Sequence, residues 1–263
     1  MCESAIIWPT ETPDEWNMPD LRDDEVHVWA APLAVSASAL ATLKNTLSYS
    51  ELERAARFRF ERHRDRFIAG RGMLRVLLGR YLRADARQLE FEYGAAGKPE
   101  LRGKPAGNSP HFNLAHSEDL ALVAITRAAA VGVDVERVRP LKDSSELVSR
   151  FFSPREHALF KDLPESQKAV AFFNLWTRKE AWLKATGEGI AHSLRLVEVS
   201  FLPGEPARLL ALPESRGPRP SWALMDLQPA PGFVAALAIA AQAPKLRCWR
   251  WTGDPGQGRE TAK

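Results

Sequence analysis

The chain has 263 residues, of which 45% are hydrophobic, 26% charged and 9% aromatic, and its formal net charge is +3. This composition is typical of a globular protein with one large domain or two small lobes, and it excludes a disordered or fibrous chain. The charges are unevenly placed: residues 1–26 hold eight acidic side chains and one basic side chain, whereas residues 54–75 hold eight arginines and two acidic side chains.

The N-terminal half begins with an irregular lead-in over residues 1–24, which contain three prolines. Alternation of polar and apolar residues then predicts a half-buried strand at Glu25–Ala30. Ser48 followed by Glu51 predicts a helix start with a capping box. Helical spacing of apolar residues predicts a long helix over Phe67–Leu82.

The arginine run at residues 54–75 overlaps these predicted helices. Such a local excess of positive charge points to an anionic partner, which could be a phosphate, an acidic protein or a nucleic acid. The alternative is a solvated arginine-rich face with no specific ligand. The run alone does not decide between them.

Strands and helices alternate through the rest of the chain. Short strands bounded by turn residues are expected first, at Glu90–Tyr93, Phe112–Leu114, Leu120–Thr126 and Val131–Glu136. Helices follow at Pro154–Lys161, with a capping box from Ser153 and Glu156, and at Ser166–Ala185, with a stop at Gly187. Later strands are expected at Leu196–Phe201, Trp222–Leu227 and Phe233–Ala240.

Each half therefore mixes strands and helices, which predicts an α/β (α+β) fold with a seam near residues 127–130. We expect the lead-in at 1–24, an N-terminal lobe at 25–128, a C-terminal lobe at 129–250 and a disordered tail at 251–263. The sequence contains no internal repeat at the residue level.

Nothing in the sequence predicts a secretory or membrane location. The longest apolar run, Phe233–Ala241, is far too short to span a bilayer, and the first residues lack a basic start followed by an apolar stretch. Cys2 and Cys248 are too few for a disulfide framework or a zinc site. We therefore expect a reduced, cytoplasmic protein with no membrane partner.

The first motif with chemical content is the segment from Val131 to Glu136, which reads Val-Gly-Val-Asp-Val-Glu. In a strand its valines point to one face, and Asp134 and Glu136 point to the other, with Cα atoms about 6.5–7 Å apart. Two carboxylates on one face repel unless a cation lies between them, and oxygen ligands suit Mg²⁺. The alternative is an exposed strand end with two solvated acids.

A glutamate lies in an apolar helical stripe in the segment from Phe172 to Lys184. At 100° per residue, Glu180 falls on the same side of the helix as Phe172 and Trp176. A carboxylate there is costly unless it has a cation or a proton-transfer partner. An ordinary helix pair with Lys184, four residues later, is the alternative.

Two basic residues stand at predicted turns. His116 ends the strand that reads His-Phe-Asn-Leu-Ala-His-Ser, and Lys98 lies in the Gly-Lys-Pro turn. Each could contact an anion. The alternatives are a hydrogen-bonded loop histidine and a plain surface lysine.

Taken together, these motifs resemble the two-lobed, broad-specificity 4′-phosphopantetheinyl transferases, the type that activates surfactin synthetase. The resemblance covers roughly residues 26–194. Its most specific part is Gly-x-Asp-x-Glu at 132–136, followed some forty residues later by Trp-x-x-Lys-Glu-x-x-x-Lys at 176–184.

The resemblance implies a monomer of two similar α/β lobes related by pseudo-twofold symmetry, with coenzyme A in the cleft between them. Such enzymes move the phosphopantetheine arm from coenzyme A to a serine of an apo acyl or peptidyl carrier protein and release adenosine 3′,5′-bisphosphate. Carrier proteins and coenzyme A would be the partners, without nucleic acid or membrane.

The resemblance also implies residue roles. By position, the Mg²⁺ (or Mn²⁺) ligands in the C-terminal lobe would be Asp134, Glu136 and Glu180, with Glu180 also the base toward the carrier serine. The coenzyme A contacts would come from Arg54, Lys98, His116, Asp134 and Lys184, with the catalytic Lys184 at the pyrophosphate. Ala115 departs from the family pattern, which often has serine there. Ser117 or a backbone amide could replace that contact.

Two other function classes stay open at this point. An arginine-rich nucleic-acid binder would use residues 54–75 as its footprint, but it leaves the acidic motifs unexplained, because acids oppose phosphate binding. A carrier-protein-binding module without catalytic activity would not need the acidic triad and Lys184.

Overall fold

The computed structural model describes residues 8, 20–94, 97–103, 109–187, 194–213 and 221–252. The first half contains β1 (Glu25–Pro32), α1 (Ala37–Lys44), α2 (Tyr49–Ala56), α3 (Glu61–Leu82), β2 (Phe91–Tyr93), β3 (Pro99–Leu101), β4 (His111–Ser117) and β5 (Leu120–Thr126). The second half contains β6 (Val131–Arg137), α4 (Ser144–Phe151), α5 (Pro154–Lys161), α6 (Glu165–Thr186), β7 (Glu198–Val199), β8 (Leu209–Ala211), β9 (Ala223–Leu227), β10 (Phe233–Ile239) and β11 (Lys245–Arg250). This mixture confirms the predicted α/β class.

Two main sheets carry the fold. The first has the strand order β11-β1-β5-β4 and the second β6-β10-β9, while β2-β3 and β7-β8 are separate hairpins. One face of the first sheet packs on α3, and its other face packs on the second sheet. The second sheet is covered on its far side by α6. None of the described helices is long and apolar enough to cross a membrane.

The alternation in β1 predicted burial on one face only, but the strand is buried on both faces. Trp29 and Ala31 enter the core under α3, whereas Val26 and Val28 enter the core between the sheets. The polar residues of β1 are buried as well, because Glu25 and His27 satisfy each other through a hydrogen bond.

The C-terminal strand β11 was not predicted, and it pairs in parallel with β1 instead of joining the sheet of the second half. Strand β11 thus lies within the predicted C-terminal lobe at 129–250 but pairs with a strand of the predicted N-terminal lobe. Trp251, predicted to begin a disordered tail, is 3% exposed, and its N–H donates to the carbonyl of Ala30. Strand β11 pairs with β1 because its apolar residues alternate between two cores. Trp249 stacks on Trp29 on one face, and Cys248 enters the core between the sheets on the other. The remaining tail, 253–263, and most of the lead-in lie outside the described residues.

Local signals predicted several helix ends correctly. Ser48 caps α2 and Ser153 caps α5, and both form the expected capping boxes. Helix α6 stops at Gly187, whose φ of 76° favours glycine. In contrast, α1 and α4 were not predicted, and α4 begins without a side-chain cap at Asp143.

A buried histidine makes the stability of the first sheet depend on pH. Trp29 Nε1 donates to the Tyr81 oxygen at 2.9 Å, so the Tyr81 hydroxyl donates to His27 Nδ1 at 2.7 Å. Burial lowers the pKa of His27 to about 4, against the opposing effect of Glu25. The unfolded chain therefore binds the extra proton first, and stability is lost as the pH falls from about 6.5 to 4.

We expect His27 to account for about 2–3 kcal/mol of the folding free energy lost between pH 7 and 4.5, at about 1.4 kcal/mol per pKa unit. Urea unfolding at several pH values measures this loss. His27→Gln keeps polar atoms but does not titrate, so its stability should fall less steeply over the same range. An equally steep loss in that variant would assign acid sensitivity to other groups.

Candidate active site

The site is built where α6 lies directly on β6. Val131, Val133 and Val135 enter the core between the sheets, as the predicted alternation requires. The opposite face of β6 turns toward α6, where a Cβ added at Gly132 would lie 2.1 Å from the carbonyl oxygen of Ala181. The glycine therefore lets the helix approach the strand closely enough to bring α6 side chains to Asp134.

Gly132→Ala tests this close approach. The new Cβ would overlap the backbone of α6, which cannot yield without moving the helix, so we expect a loss of stability of about 1–3 kcal/mol or more. Thermal unfolding measures it. Gly94→Ala is the matched control, because its nearest neighbour would be 3.8 Å away. A Gly132→Ala protein as stable as the control would contradict the packing argument.

Asp134 and Glu180 are the central carboxylates of the site. Lys184 Nζ donates to Asp134 Oδ1 at 2.6 Å, so Lys184 pairs across to β6 rather than with Glu180 one turn earlier. Asp134 Oδ2 and Glu180 Oε1 are buried and have no hydrogen-bond partner among the residues that the structure describes. Two orphaned carboxylate oxygens of this kind are costly in a folded protein unless a proton or a cation satisfies them.

The environment of these carboxylates disfavours their charge. Burial raises the pKa of Glu180 to about 7, and the negative charge of Asp134 adds to this effect. Burial likewise raises the pKa of Asp134 to about 6, although Lys184 opposes the shift. Desolvation therefore outweighs the close ammonium, and a proton is retained at the site near neutral pH in the absence of another cation.

Glu136 lies near enough for its charge to contribute to the raised pKa of both Asp134 and Glu180, while its own carboxylate is bound by Ser117. Ser117 Oγ, at the end of β4, donates to Glu136 Oε2 at 2.7 Å and accepts a bond from the N–H of Arg137 at 3.1 Å. In the described parts of the chain, no group of three or more histidine, cysteine, aspartate or glutamate side chains is arranged to hold a metal ion. That Asp134, Glu136 and Glu180 together hold a metal ion stays a prediction.

The predicted basic residues lie at different distances from this centre. His116 on β4 is close enough to Lys184 and Arg66 that their charges, together with burial, lower its pKa. Lys98 Nζ donates to the carbonyl of Val131 at 3.0 Å, and more weakly to the last turn of α6. Arg54 is exposed on α2, where its guanidinium lies over the ring of Phe67.

The arginine run separates into three groups, so neither of its sequence interpretations covers it all. Arg71 and Arg75 are buried and each contacts Glu51 at 2.7 Å, which makes them part of the core. Three more arginines pair with acids near the surface: Arg62 and Arg66 with Asp119, and Arg64 with Glu61 and Asp65. Exposed side chains remain at positions 54, 57 and 59.

Ala115 does not face the site. It is buried in the core between the sheets, where a serine hydroxyl would need a partner. Its suggested substitute, Ser117, is engaged with Glu136. A contact of Ser117 with coenzyme A stays a prediction, and it would require the hydroxyl to exchange its bond to Glu136.

Sequence reasoning missed the pair that anchors α6 beside the site. Lys179 is fully buried and donates to Glu156 Oε2 at 2.5 Å and to the carbonyl of Leu194 at 2.6 Å. Glu156 also accepts from the N–H of Val199. The capping box suggested only a local role for Glu156, and nothing in the spacing revealed a partner 23 residues away.

Family models match both halves of the chain. The model described as "4′-phosphopantetheinyl transferase superfamily" matches residues 130–238, which include Asp134, Glu136, Glu180 and Lys184. The model described as "4′-phosphopantetheinyl transferase, N-terminal" matches residues 33–128, which include Lys98 and His116.

Curated relatives carry the same name. The 4′-phosphopantetheinyl transferase HetI of Nostoc sp. is 45% identical over 231 residues, which are 88% of this chain and 94% of that protein. The enzyme psf-1 of Bacillus pumilus is 35% identical over 58% of this chain and 63% of its own length. Sfp of Bacillus subtilis is 27% identical over 74% and 82%. With matches this extensive in both halves, the chain belongs to the 4′-phosphopantetheinyl transferase superfamily, as its motifs predict.

Proposed function

We propose that this enzyme transfers the 4′-phosphopantetheine arm of coenzyme A to a serine hydroxyl of apo acyl or peptidyl carrier proteins. The products are holo carrier protein and adenosine 3′,5′-bisphosphate. Membership of the superfamily supports this activity, because the curated relatives are named for it. The observation that carries it here is the pair of orphaned oxygens on Asp134 and Glu180 beside the ammonium of Lys184.

Glu180 is suited to act as the base for the carrier serine. Without a bound cation its pKa is about 7, near working pH, where a carboxylate can both be ionised and accept a proton, and a bound cation would lower this value. The serine oxygen would form a bond to the phosphorus that carries pantetheine, while its proton moves to Glu180 and the bond to the nucleotide phosphate breaks. Lys184, one turn later, would stabilise the charge on the phosphates.

The donor set of the site fits a hard divalent cation. Mg²⁺, or Mn²⁺, prefers carboxylate oxygens and keeps several waters, so two protein ligands suffice to hold it. We propose Asp134 Oδ2 and Glu180 Oε1 as those ligands, with Glu136 joining through a rotation away from Ser117. Charge on the pyrophosphate is neutralised when such a cation is bound. The residues' own task is to hold the phosphates and the serine in line.

Basic residues around the site would bind the phosphates of coenzyme A. His116 is exposed at the end of β4, where the positive charge of Lys184 reaches it. Lys98 already donates to the carbonyl of Val131, so binding a phosphate requires it to exchange that contact. Arg54 is free to reorient from the ring of Phe67. These assignments follow the motif positions of the family.

Two further parts of the proposal are a monomeric state and a cytoplasmic location. Carrier proteins and coenzyme A are the partners in this proposal. A nucleic-acid footprint over the arginine run is disfavoured, because Arg71 and Arg75 are committed to Glu51. A module without catalytic activity would have no use for the buried acids Asp134 and Glu180.

Mass spectrometry of apo carrier proteins tests the activity directly. After incubation with enzyme, Mg²⁺ and coenzyme A, an acyl or peptidyl carrier protein should gain the mass of one phosphopantetheine arm. The same carrier with its acceptor serine replaced by alanine is the control. A panel of unmodified carriers, with all reagents shown to be active by a known transferase, would contradict the proposal.

A further inference from the structure

One buried cationic donor next to the site has no use in the roles proposed above. Arg66, on α3, has a side chain that is only 14% exposed, and its Nε donates to Asp119 Oδ1 at 2.7 Å. Its Nη2 is buried and makes no hydrogen bond within the described part of the chain. A charged donor that is desolvated and unsatisfied costs folding free energy, and a bound acceptor would remove that cost.

The position of Arg66 follows from the turn that holds it. Asp119 lies between β4 and β5, three residues after His116, and it also accepts from the more exposed Arg62. With two guanidinium groups on one carboxylate, the local charge stays positive. Asp119 thus fixes the plane of the Arg66 guanidinium without neutralising the cluster.

The neighbours of Arg66 indicate an anionic ligand. Positive charge from Arg66 on α3 and from Lys184 on α6 reaches His116 from both halves of the chain. The only nearby acid in direct contact with Arg66 among the described residues is Asp119, and it is bound at Nε. A planar guanidinium whose Nη2 has no acceptor among the described residues matches the oxygens of a phosphate.

We propose that Arg66 Nη2 donates to a phosphate oxygen of coenzyme A, and that Asp119 is the positioning residue for this contact. The inference rests on the proposed function, since it names a further contact to the same co-substrate. Coenzyme A offers its pyrophosphate and its 3′-phosphate, and the two share the chemistry that Arg66 would recognise.

Isothermal titration of the free enzyme with coenzyme A tests the contact without relying on turnover. Arg66→Ala should weaken the Kd for coenzyme A by about 10- to 100-fold, the range for a charge-assisted hydrogen bond. Arg66→Lys keeps the charge but cannot reach Asp119 and a phosphate with one planar fork, so most of the loss should remain. Asp119→Asn should give a smaller loss, because the guanidinium stays but is less firmly held.

The matched control is Arg87→Ala, which removes an exposed arginine that pairs only locally with Asp85. Its Kd should equal that of the wild type. Parallel titrations with dephospho-coenzyme A identify the phosphate: an Arg66→Ala loss that vanishes with this analogue assigns the 3′-phosphate, and one that persists assigns the pyrophosphate.

Wild-type affinity for coenzyme A in a folded Arg66→Ala protein would overturn the inference, as would an equal loss in Arg87→Ala. Thermal unfolding shows whether Arg66→Ala is folded; if it is not, Arg66→Lys decides by the same criterion. The proposed function stands or falls separately, on whether the wild-type enzyme modifies a carrier protein.

Discussion

Glu180→Gln is expected to lower kcat by about 10²–10⁴-fold at saturating Mg²⁺, the usual size of a general-base contribution. Glutamine keeps the shape of the side chain and one oxygen for a cation, but it cannot accept the serine proton. The buried position of Glu180 and its pKa of about 7 support the role of base. Steady-state transfer to a carrier protein across a Mg²⁺ titration measures the effect.

The Mg²⁺ titration separates the two roles assigned to Glu180. If Glu180 is only a ligand, high Mg²⁺ should restore much of the activity of the Gln variant; if it is also the base, kcat should stay low. Glu165→Gln, an exposed change in the first turn of the same helix, is the control and should behave like the wild type. Recovery to wild-type turnover would place the base elsewhere.

Asp134→Ala is expected to reduce kcat/KM by about 10²–10³-fold while the fold survives, a loss typical of removing one preorganised electrostatic group. The structure explains both halves of this expectation. The change removes the orphaned Oδ2, and the partner left behind, Lys184, is 30% exposed and can stay hydrated. In this variant, activity should therefore fall while the thermal unfolding temperature stays near that of the wild type.

The same experiment tests the divalent cation. The wild-type enzyme should lose its activity in excess chelator and regain it when Mg²⁺ is restored, whereas Asp134→Ala should recover little. Asp143→Ala, at the start of α4 and away from the site, serves as the control for loss of an aspartate. Full wild-type activity in chelator would refute a role for the cation, and near-normal activity of Asp134→Ala would refute the role of this carboxylate.

Much of the candidate site could be predicted because its signals are local. Strand alternation predicts which side chains of β6 point to each face. It therefore placed Asp134 on the face opposite the three valines without any tertiary information. The burial of Glu180 followed from its place in an apolar helical stripe, and it is 4% exposed. The capping box at Ser153 and the stop at Gly187 are equally local, since they depend on residues within one helical turn.

Other features depend on residues that are distant in the chain, and the sequence left them open. The helix spacing suggested a pair between Glu180 and Lys184, but Lys184 reaches Asp134, fifty residues earlier, because Gly132 lets α6 approach β6. Ser117, suggested as a coenzyme A contact, also donates to Glu136, and the sequence did not indicate this bond. Whether a polar group is available or already satisfied is decided by its neighbours in space.

The sequence by itself determined the α/β class, the family motifs and the orientation of residues within single strands and helices. The tertiary structure alone decided that β11 pairs with β1 across more than two hundred residues and that the arginine run splits into core, paired and exposed groups. The physical reason is that alternation and capping are set by the geometry of a few consecutive residues. Strand pairing, burial and charge compensation depend instead on contacts between residues that are distant in the sequence, and local patterns do not predict such contacts.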